Sequence, residues 1–194
     1  FVRAFDWNAT SNQIAFIRLD ESEVPEMNVD IYGKKLYPNE LKFKYPKAGE
    51  KNAVASVHIF DLNSKALKNI DLSDYQDFYV PKIQFSKKTN DLAVLVSNRH
   101  QNHVDFWMVN TQNLNKEKLF TETDKAWIET DHLTLEFLAD NSFIWSSERD
   151  GFRHLYHYAD NGKLLNQITK GKINEFTSSP PNQEASTVES IRWD

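Results

Sequence analysis

Ile83-Gln84-Phe85, Leu92-Ala93-Val94-Leu95, Phe106-Trp107-Met108-Val109 and Leu119-Phe120-Thr121 follow one another through the middle of the chain. Polar stretches such as Ser86-Lys87-Lys88-Thr89-Asn90-Asp91 part them. Each run is short, aliphatic or aromatic, and bounded by Asn, Asp or Ser, which is the pattern of a β-strand between turns. No segment sustains the 3.6-residue period of an amphipathic helix. Four short strands in succession make a unit.

The same unit recurs on both sides. Upstream stand Phe5-Asp6-Trp7, Ile14-Ala15-Phe16-Ile17, Val57-His58-Ile59-Phe60 and Asn69-Ile70-Asp71; downstream stand Leu135-Glu136-Phe137, Phe143-Ile144-Trp145, Leu155-Tyr156-His157-Tyr158 and Gln167-Ile168-Thr169. Four strands per unit, repeated, is the organisation of a β-propeller blade. The fold class is therefore all-β: a partial propeller of four-stranded antiparallel blades, three of them visible. A β-sandwich or an incomplete barrel accounts less well for the four-strand recurrence.

The spacing also locates an insertion. Phe85 and Phe137 lie 52 positions apart, whereas Trp7 and Phe85 lie 78 apart, so the first unit carries about 26 extra residues. They fall between its second and third strands, about 23–52, where Pro25, Pro38 and Pro46 interrupt any regular central strand. An arm leaves the blade there. The propeller reading covers 1–172.

Composition narrows the function classes. The chain has 194 residues, 40% apolar and 13% aromatic, enough for a buried core. Its formal charge is −5 with both signs interspersed, so no basic stripe exists to neutralise phosphates, and nucleic acid is not an expected partner. No run of about 18 apolar residues is present to span a bilayer, and the chain reads as soluble. With 0 Cys, disulfides and thiolate metal sites are excluded. No cofactor or metal is expected.

Several ordered motifs resemble a known family: Phe1-Val2-Arg3-Ala4-Phe5-Asp6-Trp7, Asp20-Glu21-Ser22-Glu23-Val24-Pro25, Tyr45-Pro46-Lys47-Ala48-Gly49, Ser147-Glu148-Arg149-Asp150-Gly151-Phe152-Arg153-His154-Leu155-Tyr156 and Thr169-Lys170-Gly171. Together they are similar to the N-terminal propeller region of the dipeptidyl peptidase IV family, prolyl oligopeptidase-like serine exopeptidases, in its bacterial form. The resemblance implies an eight-bladed propeller capping an α/β-hydrolase domain. It also implies a parent that removes dipeptides after Pro or Ala, or tripeptides in some relatives, and a periplasmic or secreted location. It implies a homodimer arm too, with Val29, Ile31, Tyr32, Leu36, Tyr37, Leu41, Phe43 and Tyr45 of this sequence as its apolar contacts. The family's amino-group-binding glutamates precede the segment resembling Phe1-Val2-Arg3. Asp20, Glu21 and Glu23 are not that pair, and are expected in a solvated turn or interface. The alternative to a peptidase propeller is a noncatalytic, propeller-like binding module.

Candidate chemistry within the chain is sparse. Acyl transfer on an α/β-hydrolase needs Ser in Gly-x-Ser-x-Gly, and none of Gly33, Gly49, Gly151, Gly162 and Gly171 forms it. No catalytic residue is assigned, and the chain alone is expected to be inactive. His100, His103 and Asp105 have a superficial metal-ligand spacing, but their surroundings read as a polar connection. His154 and His157 alternate with strand residues and read as packed or hydrogen-bonded positions. Trp127, Arg149 and Arg153 are the candidate substrate-facing residues; their structural readings are packing between blades and local charge pairing. Asn8-Ala9-Thr10 matches a glycosylation acceptor, a short motif common by chance. Lys42, Lys44, Lys47 and Lys51, beside Glu40 and Glu50, read as a mixed protein interface. Residues 173–194, Ser/Thr-rich with the pair Pro180-Pro181, depart from the family pattern and read as a polar tail or linker of divergent or appended sequence.

Overall fold

The computed structural model describes residues 4–131 and 133–172. The expectations placed on 1–3 and on the tail, 173–194, lie outside the described residues. Within them the chain forms fourteen strands and no helix, hence no helix long and apolar enough to cross a membrane.

Three four-stranded antiparallel sheets follow in sequence. The first is β1 (Phe5–Trp7), β2 (Gln13–Asp20), β5 (Val54–Asp61) and β6 (Leu67–Asn69). The second is β7 (Phe78–Phe85), β8 (Leu92–Asn98), β9 (His103–Val109) and β10 (Lys116–Thr123); the third is β11 (Leu135–Phe137), β12 (Phe143–Ser147), β13 (His154–Tyr158) and β14 (Leu164–Gln167). Between β2 and β5 stands a separate two-stranded ribbon, β3 (Glu26–Ile31) and β4 (Asn39–Lys44). Pro25 and Pro38 sit immediately before its strands, where a missing N–H breaks no ladder.

The outermost strands begin earlier than the sequence suggests. The reading put the fourth run of the first blade at Asn69-Ile70-Asp71 and of the third at Gln167-Ile168-Thr169, whereas β6 ends at Asn69 and β14 at Gln167. Leu67, Leu164 and Leu165 are exposed on these edges, so alternation does not mark them. The expected residues still continue the pairing: Ile70 N–H donates to Val57 O at 2.9 Å and Ile168 N–H to Leu155 O at 2.8 Å.

Blades pack face to face through two apolar seams. Ala15, Val57 and Ile59 of the first blade meet Ile83, Phe85, Leu92 and Val94 of the second. Leu95, Val104 and Phe106 meet Phe137, Phe143, Trp145 and Tyr158 of the third. In the second seam the rings stack, Phe143 on Tyr158 at 5.3 Å and 2°, with Phe106 edge-on to Phe143 at 5.1 Å. Such geometry adds to the area buried. Polar staples cross the seams as well: Asp6 Oδ2 accepts from Phe85 N–H at 2.8 Å, Lys68 Nζ donates to the carbonyls of Thr111 and Gln112 at 2.8 Å each, and Asn141 Oδ1 accepts from Lys88 N–H at 3.0 Å.

Candidate functional site

Strand order decides which loops share a side. In each blade the turns joining first to second and third to fourth strands lie on one side of the disc. The loops joining second to third strands, and those crossing to the next blade, lie on the other. The ribbon β3–β4, the segment 124–134 between β10 and β11, and Glu148–Arg153 between β12 and β13 are all of the second kind. Trp127, Arg149, Arg153 and the arm therefore open on one face.

Trp127, Arg149 and Arg153 line a single small cavity where the second blade meets the third, together with Glu122, Ser147 and Glu148. Its volume is about 20 Å3, room for one water. Trp127 is not packed between blades: it is 51% exposed, and its Nε1–H donates to Gln101 Oε1 at 3.0 Å. Arg153 is buried and pairs with Glu148, Nη2 to Oε1 at 2.9 Å.

Arg149 is held from three sides. Its Nη2 donates to Glu122 Oε2 at 2.7 Å and its Nε to Ser147 Oγ at 2.9 Å, while the guanidinium carbon lies 4.4 Å from the Tyr156 ring centroid. Glu122, buried, also accepts from Ser147 Oγ–H and from Trp145 Nε1–H at 3.3 Å. Burial works most strongly against the Arg149 charge, but Glu122 together with the Tyr158 and Tyr156 hydroxyls outweighs it and raises the guanidinium above its ordinary value. Burial likewise pushes the Tyr156 and Tyr158 hydroxyls up. Sequence reasoning missed Glu122, although a signal existed: it lies two residues after Phe120, and period two aims both at the seam.

His103, His154 and His157 make local hydrogen bonds. His154, 1% exposed, bonds Thr169 Oγ1 through Nδ1 at 3.2 Å and Gly171 O through Nε2 at 3.0 Å. The carbonyl makes Nε2 the donor, so Nδ1 accepts from the threonine hydroxyl. His157 Nε2 meets Ser142 Oγ at 3.0 Å, and His103 Nε2 meets Asp105 Oδ1 at 3.2 Å. His100 is exposed at the β8–β9 turn. No group of three or more His, Asp or Glu is placed to hold a metal among the described residues. Asn8 is buried, its amide donating to Thr10 and Asn12 and accepting from two backbone N–H groups, so the glycosylation motif is used as a turn lock.

The ribbon is two-faced. Its register pairs Met27 with Phe43, Val29 with Leu41 and Ile31 with Asn39. Directly opposed residues share a face in an antiparallel pair, so Met27, Val29, Ile31, Leu41 and Phe43 form one apolar side, and Tyr45 extends it with a ring contact to Phe43 at 6.0 Å. Glu26, Asp30, Glu40, Lys42 and Lys44 occupy the other side. Of the twelve strand residues all but Met27 are exposed. Glu21 and Glu23 lie exposed at its root, Glu23 paired with Lys51 at 2.9 Å.

A family model for the dipeptidyl peptidase IV (DPP IV) N-terminal region matches residues 2–187. The chain belongs to this family. Porphyromonas gingivalis dipeptidyl peptidase 4, known from a crystal structure, is similar at 36% identity and a TM-score of 0.78, covering 86% of this DPP IV-type chain and 24% of that one. A Schizosaccharomyces pombe protein bearing a dipeptidyl aminopeptidase name is 29% identical over 185 residues, 85% of this chain and 23% of that protein. A Bacteroides ovatus crystal structure named for a dipeptidyl aminopeptidase IV shares the fold, with a TM-score of 0.75 at 24% identity. The DPP IV N-terminal region present here thus spans about a quarter of the relatives it matches.

Proposed function

We propose that this chain is part of the propeller of a serine dipeptidyl peptidase that removes dipeptides ending in Pro or Ala from peptide N-termini, in the periplasm or outside the cell. The family match over residues 2–187 carries the peptidase reading. The chemistry belongs to an α/β-hydrolase domain of the parent. These blades bound the route of the peptide to it, with Trp127, Arg149 and Arg153 on the peptide-facing side. Support comes from their convergence on one cavity on the loop-bearing face, where Glu122 fixes the orientation of Arg149.

The same chain supplies a homodimer arm. An isolated two-stranded ribbon is marginal in water, and the apolar side of this one is partly open, with Leu41 49% and Phe43 38% exposed. A second copy offering the same side would cover it, with Tyr32, Tyr37 and Tyr45 at the margins.

Turnover of a Gly-Pro reporter by the complete parent, with none by the 194-residue chain, is the expected result. A folded parent that binds peptides without cleaving them would leave the noncatalytic binding module as the function. For the arm, the triple change Tyr37→Ser, Leu41→Ser and Phe43→Ser should convert a dimeric parent to monomer in sedimentation; an unchanged dimer would remove the arm from the interface.

A further inference from the structure

Trp127 is a half-exposed ring held at its edge. Its Nε1–H is committed to Gln101 Oε1 at 3.0 Å, and 51% of the residue stays open to solvent. The backbone on either side is tied to one turn of the second blade: Asp124 N–H donates to Asn102 O at 3.0 Å, and Ile128 N–H to Gln101 O at 2.7 Å. Ile128 is buried in the seam with the third blade and anchors the loop there. The stacked rings of that seam, Phe106, Phe120, Phe143, Trp145 and Tyr158, leave this indole out, and the Arg149 guanidinium lies over Tyr156 instead. The ring is thus presented before any ligand arrives, and little ordering is left for binding to cost.

The cavity beside the ring is too small to receive a side chain, since about 20 Å3 holds one water. Its lining carries an imbalance of charge. Four acids, Glu122, Asp124, Glu129 and Glu148, stand against two cations, Arg149 and Arg153. Both cations are taken, Arg149 by Glu122 at 2.7 Å and Arg153 by Glu148 at 2.9 Å. Asp124 and Glu129 accept only from backbone N–H groups among the described residues, those of Ala126 at 2.7 Å and Asp131 at 3.0 Å. Lys125 is exposed and is not part of the lining. An open indole face and carboxylates without a counter-charge attract the same thing, a cation. A carboxylate would be repelled there, and an apolar side chain would gain from the ring alone.

We propose that Trp127, with Asp124 and Glu129, forms a subsite for an Arg or Lys side chain of the peptide, on the part of it that lies along the propeller beyond the bond to be cut. Arg suits it better than Lys, because a planar guanidinium stacks on an aromatic face. This rests on the reading of the face as peptide-facing, and it adds what the face selects.

The test walks a single Arg through the third to sixth positions of Gly-Pro-Gly-Gly-Gly-Gly, with the complete parent as enzyme. At one position Arg should lower KM about threefold or more relative to Leu, with kcat unchanged, and the preference should shrink as salt is raised. Trp127→Ala should abolish the preference for Arg over Leu, and Trp127→Phe should keep part of it. Asp124→Asn with Glu129→Gln, which retain the oxygens that accept from Ala126 and Asp131, should reduce it to the share of the ring. Each readout compares two peptides on one protein, so a change in the amount of folded enzyme drops out. Equal KM for Arg and Leu at every position would overturn the subsite, as would a preference that survives Trp127→Ala. A parent that leaves all these peptides uncut would refute the peptidase reading instead, and the same comparison made on Kd by calorimetry would still decide this one.

Discussion

Replacing Glu122 with alanine removes the acceptor on which the seam between the second and third blades converges. Trp145 is 0% exposed, and its Nε1–H loses its partner at 3.3 Å; a stranded buried donor costs about 1–3 kcal/mol. Ser147 is 5% exposed and loses the acceptor for its hydroxyl proton, about 1 kcal/mol. The Arg149 side chain is 34% exposed and returns to water, so its ion pair adds less than about 1 kcal/mol. Glu122→Ala should therefore destabilise by about 2–4 kcal/mol, and Glu122→Gln, which keeps the volume and a carbonyl oxygen, by less than about 1.5 kcal/mol. The assay is amide hydrogen exchange of β12 and β13 in the parent, which reads the opening of this seam apart from the remaining domains. Loss of protection within about 0.5 kcal/mol of wild type for the alanine variant, or equal losses for both variants, would refute the view that Glu122 holds this seam together.

Gly162 has φ +78°, and a Cβ there would lie 2.7 Å from Leu119 Cβ and 2.8 Å from Leu119 O. Gly162→Ala should lower the parent's melting temperature, and Gly162→Asn should not rescue it, because asparagine relieves the backbone conformation but not the collision; rescue by asparagine would show that only the conformation matters. For Asp105, burial opposes ionisation, yet bonds from Thr121 and Tyr75 and the nearby Lys118 prevail and hold its carboxyl below the ordinary value. Its stabilisation is thus complete above the unfolded-state pKa of about 3.9 and is lost as pH falls through the lower folded value. The stability gap between wild type and Asp105→Asn should shrink under acid titration, and a constant gap would sink the assignment. Expression of the parent through a eukaryotic secretory route should leave Asn8 unmodified in peptide mass spectrometry, since its amide is committed to the turn.

The blades were legible because their short apolar runs recur in the same order. Phe5-Asp6-Trp7, Ile83-Gln84-Phe85 and Leu135-Glu136-Phe137 mark three first strands, and the structure forms all three, although in the first of them Asp6 is buried while Phe5 and Trp7 are exposed. Leu67–Asn69 and Leu164–Gln167 were harder to place, since an outer strand has a neighbour on one edge only and tolerates apolar residues in water. Trp127, Arg149 and Arg153 could be singled out by type and loop position, but nothing local reveals that they share a cavity. That convergence depends on two blades packing, as does Glu122, whose partners Ser147 and Arg149 lie 25 and 27 positions away. The two-sided character of the arm was half visible. Alternation marked its apolar residues, while their gathering on one side follows from the register, which the turn sets.

The two faces of the disc are also unequal in what they can accommodate. On the side of the tight turns, the third blade closes with left-handed residues packed against the second: Asn141 at φ 69° bonds Lys88 N, and Gly162 touches Leu119. An inserted residue there would push against an adjoining sheet, because the turn is itself part of the seam. On the other side, the loop between second and third strands leaves its blade after the apolar pairing is complete. Asp20 pairs with Val54 at the end of the β2–β5 ladder, and the whole ribbon departs beyond that pair without disturbing any of it. The Arg149 cavity and the arm therefore share a face for a physical reason: it is the face on which chain can be added without cost to the core.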